Sequence, residues 1–146
     1  MQLPEYVTKE EVRRVCAELQ ISDWSIITEP LIPKEDAGKI LAEVNTKKMP
    51  IPMETFKQGL EVELEHGTRF QDANVTNNHP ILTGMIVIAH LKETMDYYLR
   101  IDVAEIEGDL LKAVISKNAE KIAAKYHKLI EAQNALNTAV EIQLKK

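Results

Sequence analysis

The sequence predicts an all-α fold: a central antiparallel helical hairpin, short helices before it, and a long C-terminal helix or helices after it. Three observations carry this expectation. Apolar residues recur at helical spacing through most of the 146-residue chain. Helix-start signals precede these runs, with Thr8-Lys9-Glu10-Glu11 in capping-box form and Pro33 and Pro80 each opening a periodic segment. Aromatic residues make up 5% of the chain, few for the core of a β-sandwich or barrel.

The first helix is expected over roughly 9–20, with Thr8 as N-cap, Glu11 three residues on, and Val12, Val15, Cys16 and Leu19 on one face. Residues 21–33 hold Trp24, Ile26, Ile27, Leu31, Ile32 and two prolines. They read as an extended connector that tucks these side chains inward, with room for a short strand. Pro33 at the first helical position starts a second helix, apolar at Ile40, Leu41 and Val44 and ending near Asn45. Met49-Pro50-Ile51-Pro52 breaks the chain. A third helix follows over 53–66, with Phe56, Leu60, Glu63 and Leu64 at helical spacing and Gly67 as its C-cap glycine.

The polar, Asn-rich stretch 68–79 reads as a loop. Pro80 opens a fourth helix that ends near 92–95 or continues through Leu99. The remainder is helical. Val103, Ile106, Leu110 and Val114 are followed by Ile115, Ala119, Ile122, Tyr126, Leu129, Gln133, Leu136 and Val140 in alternating steps of four and three. That pattern predicts a long helix with a coiled-coil-like seam, with 116–118 as a kink and Gly108 as a weak point.

The length suits a single domain, 1–146, made of an N-terminal helical unit (1–50), a hairpin (53–99) and a C-terminal helical segment (100–146). The net charge of −5 favours neither nucleic acid nor an anionic membrane. One cysteine, Cys16, excludes an internal disulfide, and its apolar neighbours mark it as a buried hydrophobe. The longest nearly apolar run, 85–89, is far too short to span a bilayer, and no signal-peptide h-region interrupts the charged first segment. The expected setting is cytoplasmic. No phosphate-binding glycine loop, dinucleotide fingerprint or Ser-His-Asp arrangement occurs, so no nucleotide cofactor is expected and no catalytic residue is assigned.

One constellation stands out. Glu63 and His66 are spaced three apart on the third helix, and His90 and Glu93 likewise on the fourth. Residues i and i+3 lie about 60° apart in azimuth, so each pair sets a carboxylate and an imidazole on one side of its helix. In an antiparallel hairpin Glu63 would lie level with Glu93, and His66 level with His90. Such a set suits one divalent metal ion: zinc, iron or manganese. Gly59 and Gly84 would let the two backbones approach, Glu65 could add a ligand or a second acceptor, and Tyr97 could line the site.

The stretch Gly59-Leu60-Glu61-Val62-Glu63-Leu64-Glu65-His66-Gly67, then Thr83-Gly84, Ala89-His90-Leu91-Lys92-Glu93 and Asp96-Tyr97-Tyr98 resembles an uncharacterised domain-of-unknown-function family of bacteria, archaea and phages. That family carries a V-E-x-E-H motif, a loop, then H-L-x-E and Y-Y. The resemblance covers mostly 53–99 and departs at Met95, where the family has proline. It implies that Glu63, His66, His90 and Glu93 occupy motif positions, and it supplies no activity.

Other signals weigh less. Asp72-x-Asn74-x-Thr76 opens like a calcium loop but lacks the Gly and the bidentate Glu of one. Lys117, Lys121, Lys125 and Lys128 form a stripe that could contact phosphate or an acidic partner, the one support for a nucleic-acid-associated factor, but it reads rather as the solvated face of an amphipathic helix. Two functional readings follow. One is a metal-binding helical protein acting through Glu63, His66, His90 and Glu93. The other is a non-enzymatic module in which residues 103–144 form a homo-oligomer or grip another protein, the Glu/His set being a polar network that specifies the hairpin.

Overall fold

The computed structural model describes residues 7–145. Among these residues the regular structure is helical and no strand is present, so 21–33 forms none. The chain divides into two compact units, one ending at Glu93 and the other beginning at Thr94.

In the first unit, helix α1 spans Lys9–Leu19. The Thr8 hydroxyl oxygen accepts the Glu11 N–H at 3.2 Å, as a capping box requires, while the Glu11 carboxylate turns to the Arg14 guanidinium at 2.7 and 2.8 Å. A 3₁₀ turn, Trp24–Ile26, then packs on α1, with the Trp24 N–H pointing to Cys16 Sγ at 3.4 Å. Residues in such a turn point about 120° apart, so only some can face inward. Trp24 and, further on, Ile32 are buried, whereas Ile26 and Leu31 are 71% and 69% exposed, against the inward placement expected for all of them. The connector is tied down by Asp36, whose carboxylate accepts from Ser22 N–H at 2.9 Å and from its hydroxyl at 2.7 Å.

Helix α2 runs Lys34–Val44. Pro33 is its cap residue, one position earlier than expected, because its ψ of 139° is extended. Helix α3 runs Met53–Arg69 and passes straight through Gly67, which does not serve as a C-cap glycine. No glycine among the described residues has a positive φ. Gly67 is instead a point of close packing: a Cβ there would overlap the Asn78 side-chain oxygen and crowd Asn74. In the loop that folds back on α3 the left-handed region is taken by Asn77 and Asn78, φ 48° and 60°.

Helix α4, Pro80–Glu93, packs against both α2 and α3, with a lighter contact to α1. Ile40 of α2, Phe56, Leu60 and Leu64 of α3, and Val87, Ile88 and Leu91 of α4 form the core with Val12, Cys16 and Trp24. Gly84 does not serve the α3–α4 approach that its position suggested. It faces α2: a Cβ at 84 would lie 2.8 Å from Ile40 Cγ2 and 3.2 Å from Val44 Cγ1.

The second unit is a helical hairpin of α5, Tyr97–Ile115, and α6, Ala119–Leu144. The fourth helix therefore stops at Glu93 and does not run through Leu99. The expected kink at 116–118 is a full reversal. Asn118 N–H bonds Ala113 C=O at 3.1 Å and Lys117 N–H bonds Val114 C=O at 3.0 Å, a Schellman closure with Lys117 in the left-handed region at φ 53°. Asn118 then caps α6 by accepting the Lys121 N–H at 2.9 Å. The helices are antiparallel: Asp109 meets Lys125 at 2.5 Å, and Gln143 near the end of α6 lies close enough to Asp96 to help lower its carboxyl. Part of the seam is thus satisfied within the chain: Leu129 and Ala132 of α6, and Tyr98 and Ala113 of α5, are buried.

Two glycines give opposite expectations. Gly84→Ala forces a methyl against Ile40 and should destabilise the protein by about 1–3 kcal/mol. Gly108, inside α5, has open space on the side where a Cβ would project, with no atom within 4 Å. Gly108→Ala should therefore stabilise by about 0.5–1 kcal/mol. Urea midpoints of the two variants against the parent check both signs.

Candidate functional site

Residues that face a helical core fix where their neighbours point. On α3, Leu60 and Leu64 face inward and are buried. Glu63 is about 60° round from Leu60, at the flank, and His66 is about 120° round, toward solvent. On α4, His90 stands about 60° from buried Val87, and Glu93 about 120°. The observed exposures follow. Glu63 and His90 have side chains 16% and 28% exposed, whereas His66 and Glu93 are exposed.

The structure accordingly brings together one member of each motif pair. His90 Nε2 and a Glu63 carboxylate oxygen are 3.5 Å apart across the α3–α4 contact. The level of the helices places Glu63 opposite His90, and not opposite Glu93. His66 does not join them. Glu65 is half-buried and pairs with Arg69 one turn on. Tyr97 begins α5 in the second unit, its ring edge-to-face with Tyr98 at 5.2 Å. Among the described residues, no group of three or more His, Cys, Asp and Glu side chains is arranged to hold a metal ion. Chemically, a carboxylate facing an imidazole across two helices can share a proton, cross-link the hairpin, or supply two ligands to a cation.

The sequence pattern passed over His79, which has no acidic residue three before it. In the structure it is buried at the head of α4, where its Nδ1 accepts the Leu82 N–H at 3.4 Å and its carbonyl accepts the Thr83 N–H at 2.9 Å. Only a neutral imidazole has a ring nitrogen that can accept. Burial holds the His79 pKa below its ordinary value of 6.5, with the Glu11 carboxylate opposing that shift and Arg14 adding to it. The available signal was local: a polar residue just before a helix-opening proline occupies the N-cap position.

In the second unit the buried acid is Asp96. The Arg100 guanidinium grips it at 2.8 and 3.0 Å and holds its carboxyl below the usual range, with the Thr94 hydroxyl donating as well. It anchors the open end of the hairpin at the step into α5.

These features define a small helical protein of two compact units, with an acid–imidazole pair inside the first. The chain belongs to the family described as protein of unknown function DUF5661, whose model matches residues 12–107. The match takes in most of α1, all of α2 to α4, and α5 as far as Glu107; α6 lies beyond it. No curated protein and no solved structure matches the chain. Among the described residues no helix is long and apolar enough to cross a membrane.

The His79 geometry sets a pH dependence. Its folded pKa is depressed, so the unfolded chain takes up the proton first. Its contribution to stability is complete above about pH 6.5 and is lost as pH falls through the lower folded value. The urea midpoint should therefore drop between about pH 7 and pH 5, and His79→Gln should flatten that slope. A parent midpoint constant over this range would contradict the assignment.

Proposed function

We propose that this chain is a non-enzymatic, self-associating helical protein whose α5–α6 hairpin is the assembly surface. The observation that carries this reading is an apolar face left open on the hairpin. Val103, Leu110 and Val114 follow one another at helical spacing on α5, and Ile122, Tyr126 and Ile130 on α6. Measured from the buried positions Ala113 and Leu129, both rows turn to the same side of the antiparallel pair. Val114, Tyr126 and Ile130 are 51%, 57% and 44% exposed.

A second copy is the occupant that this shape suits. Two helices bury one row each between them and keep a second row to spare, and two such hairpins face to face make a four-helix bundle with two-fold symmetry. The 19 residues of α5 give a face ~28 Å long. At ~10 Å between axes it is ~20 Å wide. Its footprint of roughly 600 Å² per chain is of the order of the ~800 Å² of accessible surface that each partner gives up in a standard interface. Tyr126 and Gln133 in the seam loosen the packing and help set its register.

In this reading the Glu63–His90 contact is a polar cross-link that fixes the setting of α3 against α4. A second reading rests on the same contact: Glu63 and His90 as two ligands of a divalent transition metal whose other ligands are water or groups of another molecule. Elemental analysis separates them. The cross-link reading expects no stoichiometric metal and an unchanged melting temperature after chelator treatment. Metal at one ion per chain, lost in His90→Ala, supports the second.

Sedimentation equilibrium tests the assembly. The 16.6 kDa chain should run as a dimer at micromolar concentration. Val114→Glu/Tyr126→Glu should be monomeric with unchanged helix content. A parent that stays monomeric at several hundred micromolar, or a double variant that still dimerises, overturns the reading.

A further inference from the structure

On its other side the hairpin is not apolar but basic, and we propose that this side holds a groove for a small, multiply charged phosphorylated anion. Between the last turns of α5 and the first half of α6 lies a groove of about 550 Å³, within the range of small-molecule sites. Its floor includes Ala113 and Ala124, and its rim is Lys112, Lys121, Lys125 and Lys128. Asp109 is the one carboxylate in its lining, and Lys128 also borders an adjoining hollow beside Asp102 and Glu131. Asp109 accepts from Lys125 at 2.5 Å and from Lys112 at 3.2 Å. Lys121 and Lys128 form no ion pair among the described residues.

Three of these lysines stand at i, i+4 and i+7 on one face of α6, where like charges repel. Lys125 pairs across the hairpin with Asp109, but Lys121 and Lys128 have no such partner among the described residues, so the fold offsets only part of this repulsion. The local excess of positive charge also runs against the net charge of the whole chain, −5. An anion bound in the groove offsets the repulsion and is drawn there by the local field. Lys121 and Lys128 lie about 10 Å apart along α6, so they match charge spread along a molecule better than a point ion. No aromatic ring lines the groove, so it offers no stacking platform for nucleic-acid bases. The groove lies on the side of the hairpin away from the proposed dimer face, and dimerisation leaves it open.

Titration calorimetry with inorganic tripolyphosphate at low salt tests the site. One ion should bind per chain. Lys121→Gln/Lys128→Gln should weaken binding by about tenfold or more, since charge-assisted hydrogen bonds are lost. Asp109→Asn, which removes the one carboxylate from the lining, should tighten it. Lys47→Gln, outside the groove, should leave it unchanged. No binding to the parent, equal affinity in parent and double variant, or tighter binding of a single-stranded 20-nucleotide DNA than of tripolyphosphate would overturn the proposal.

Discussion

A backbone with no side chain at position 84 lets α4 come against Ile40 and Val44 of α2, and the rest of the first unit is arranged around that approach. Helix α4 is apolar on much of its circumference and has to be packed by neighbours on more than one side. With Gly84 turned to α2, Val87 and Leu91 reach the core shared with Leu60 and Leu64. His90 is then carried to the flank, where it meets Glu63. A larger residue at 84 would have to rotate α4 or push it outward, and either movement would part the histidine from its carboxylate. The polar contact is a consequence of apolar packing, and its geometry is inherited from a glycine two turns away.

Much of this was legible in the sequence because helices announce themselves locally. The capping threonine, the two helix-opening prolines and the three-and-four spacing of Val12, Val15, Cys16 or Phe56, Leu60, Leu64 each report on one turn of chain. What the sequence hid depends on pairs of distant residues. Gly67 looks like a helix end, and it continues the helix because Asn74 and Asn78 fold back onto it. Spacing put Glu63 beside His66, and His90 beside Glu93. It did not say which member of each pair faced the other helix. Counting azimuth from Leu60 and Val87 supplies that answer, but only once those two residues are known to be the inward ones.

The second unit shows a related effect. An apolar repeat says that a row of side chains must be covered, and it does not name the cover. Leu129 and Ala132 are covered by α5 of the same chain, because three residues at the hairpin turn, with Lys117 left-handed, suffice to reverse direction. Tyr126 and Ile130 on the same helix remain open. The repeat is a superposition of two rows with two different partners, and only the turn divides them.

That turn also sets the innermost of a series of contacts. The contacts of the second unit are nested, so that each pair closes a longer segment than the one before it. The closure of Asn118 on Ala113 spans a few residues, Asp109 and Lys125 are 16 apart, and the Asp96–Gln143 contact spans nearly the whole hairpin. Loop-closure entropy rises only slowly with length, and once the turn is made each further pair adds little to it. Nesting of this kind allows closure from Lys117 outward, the local-contact arrangement that goes with fast folding in general. Lys117, in the left-handed region that is costly for a side-chain-bearing residue, sits at the innermost of these contacts.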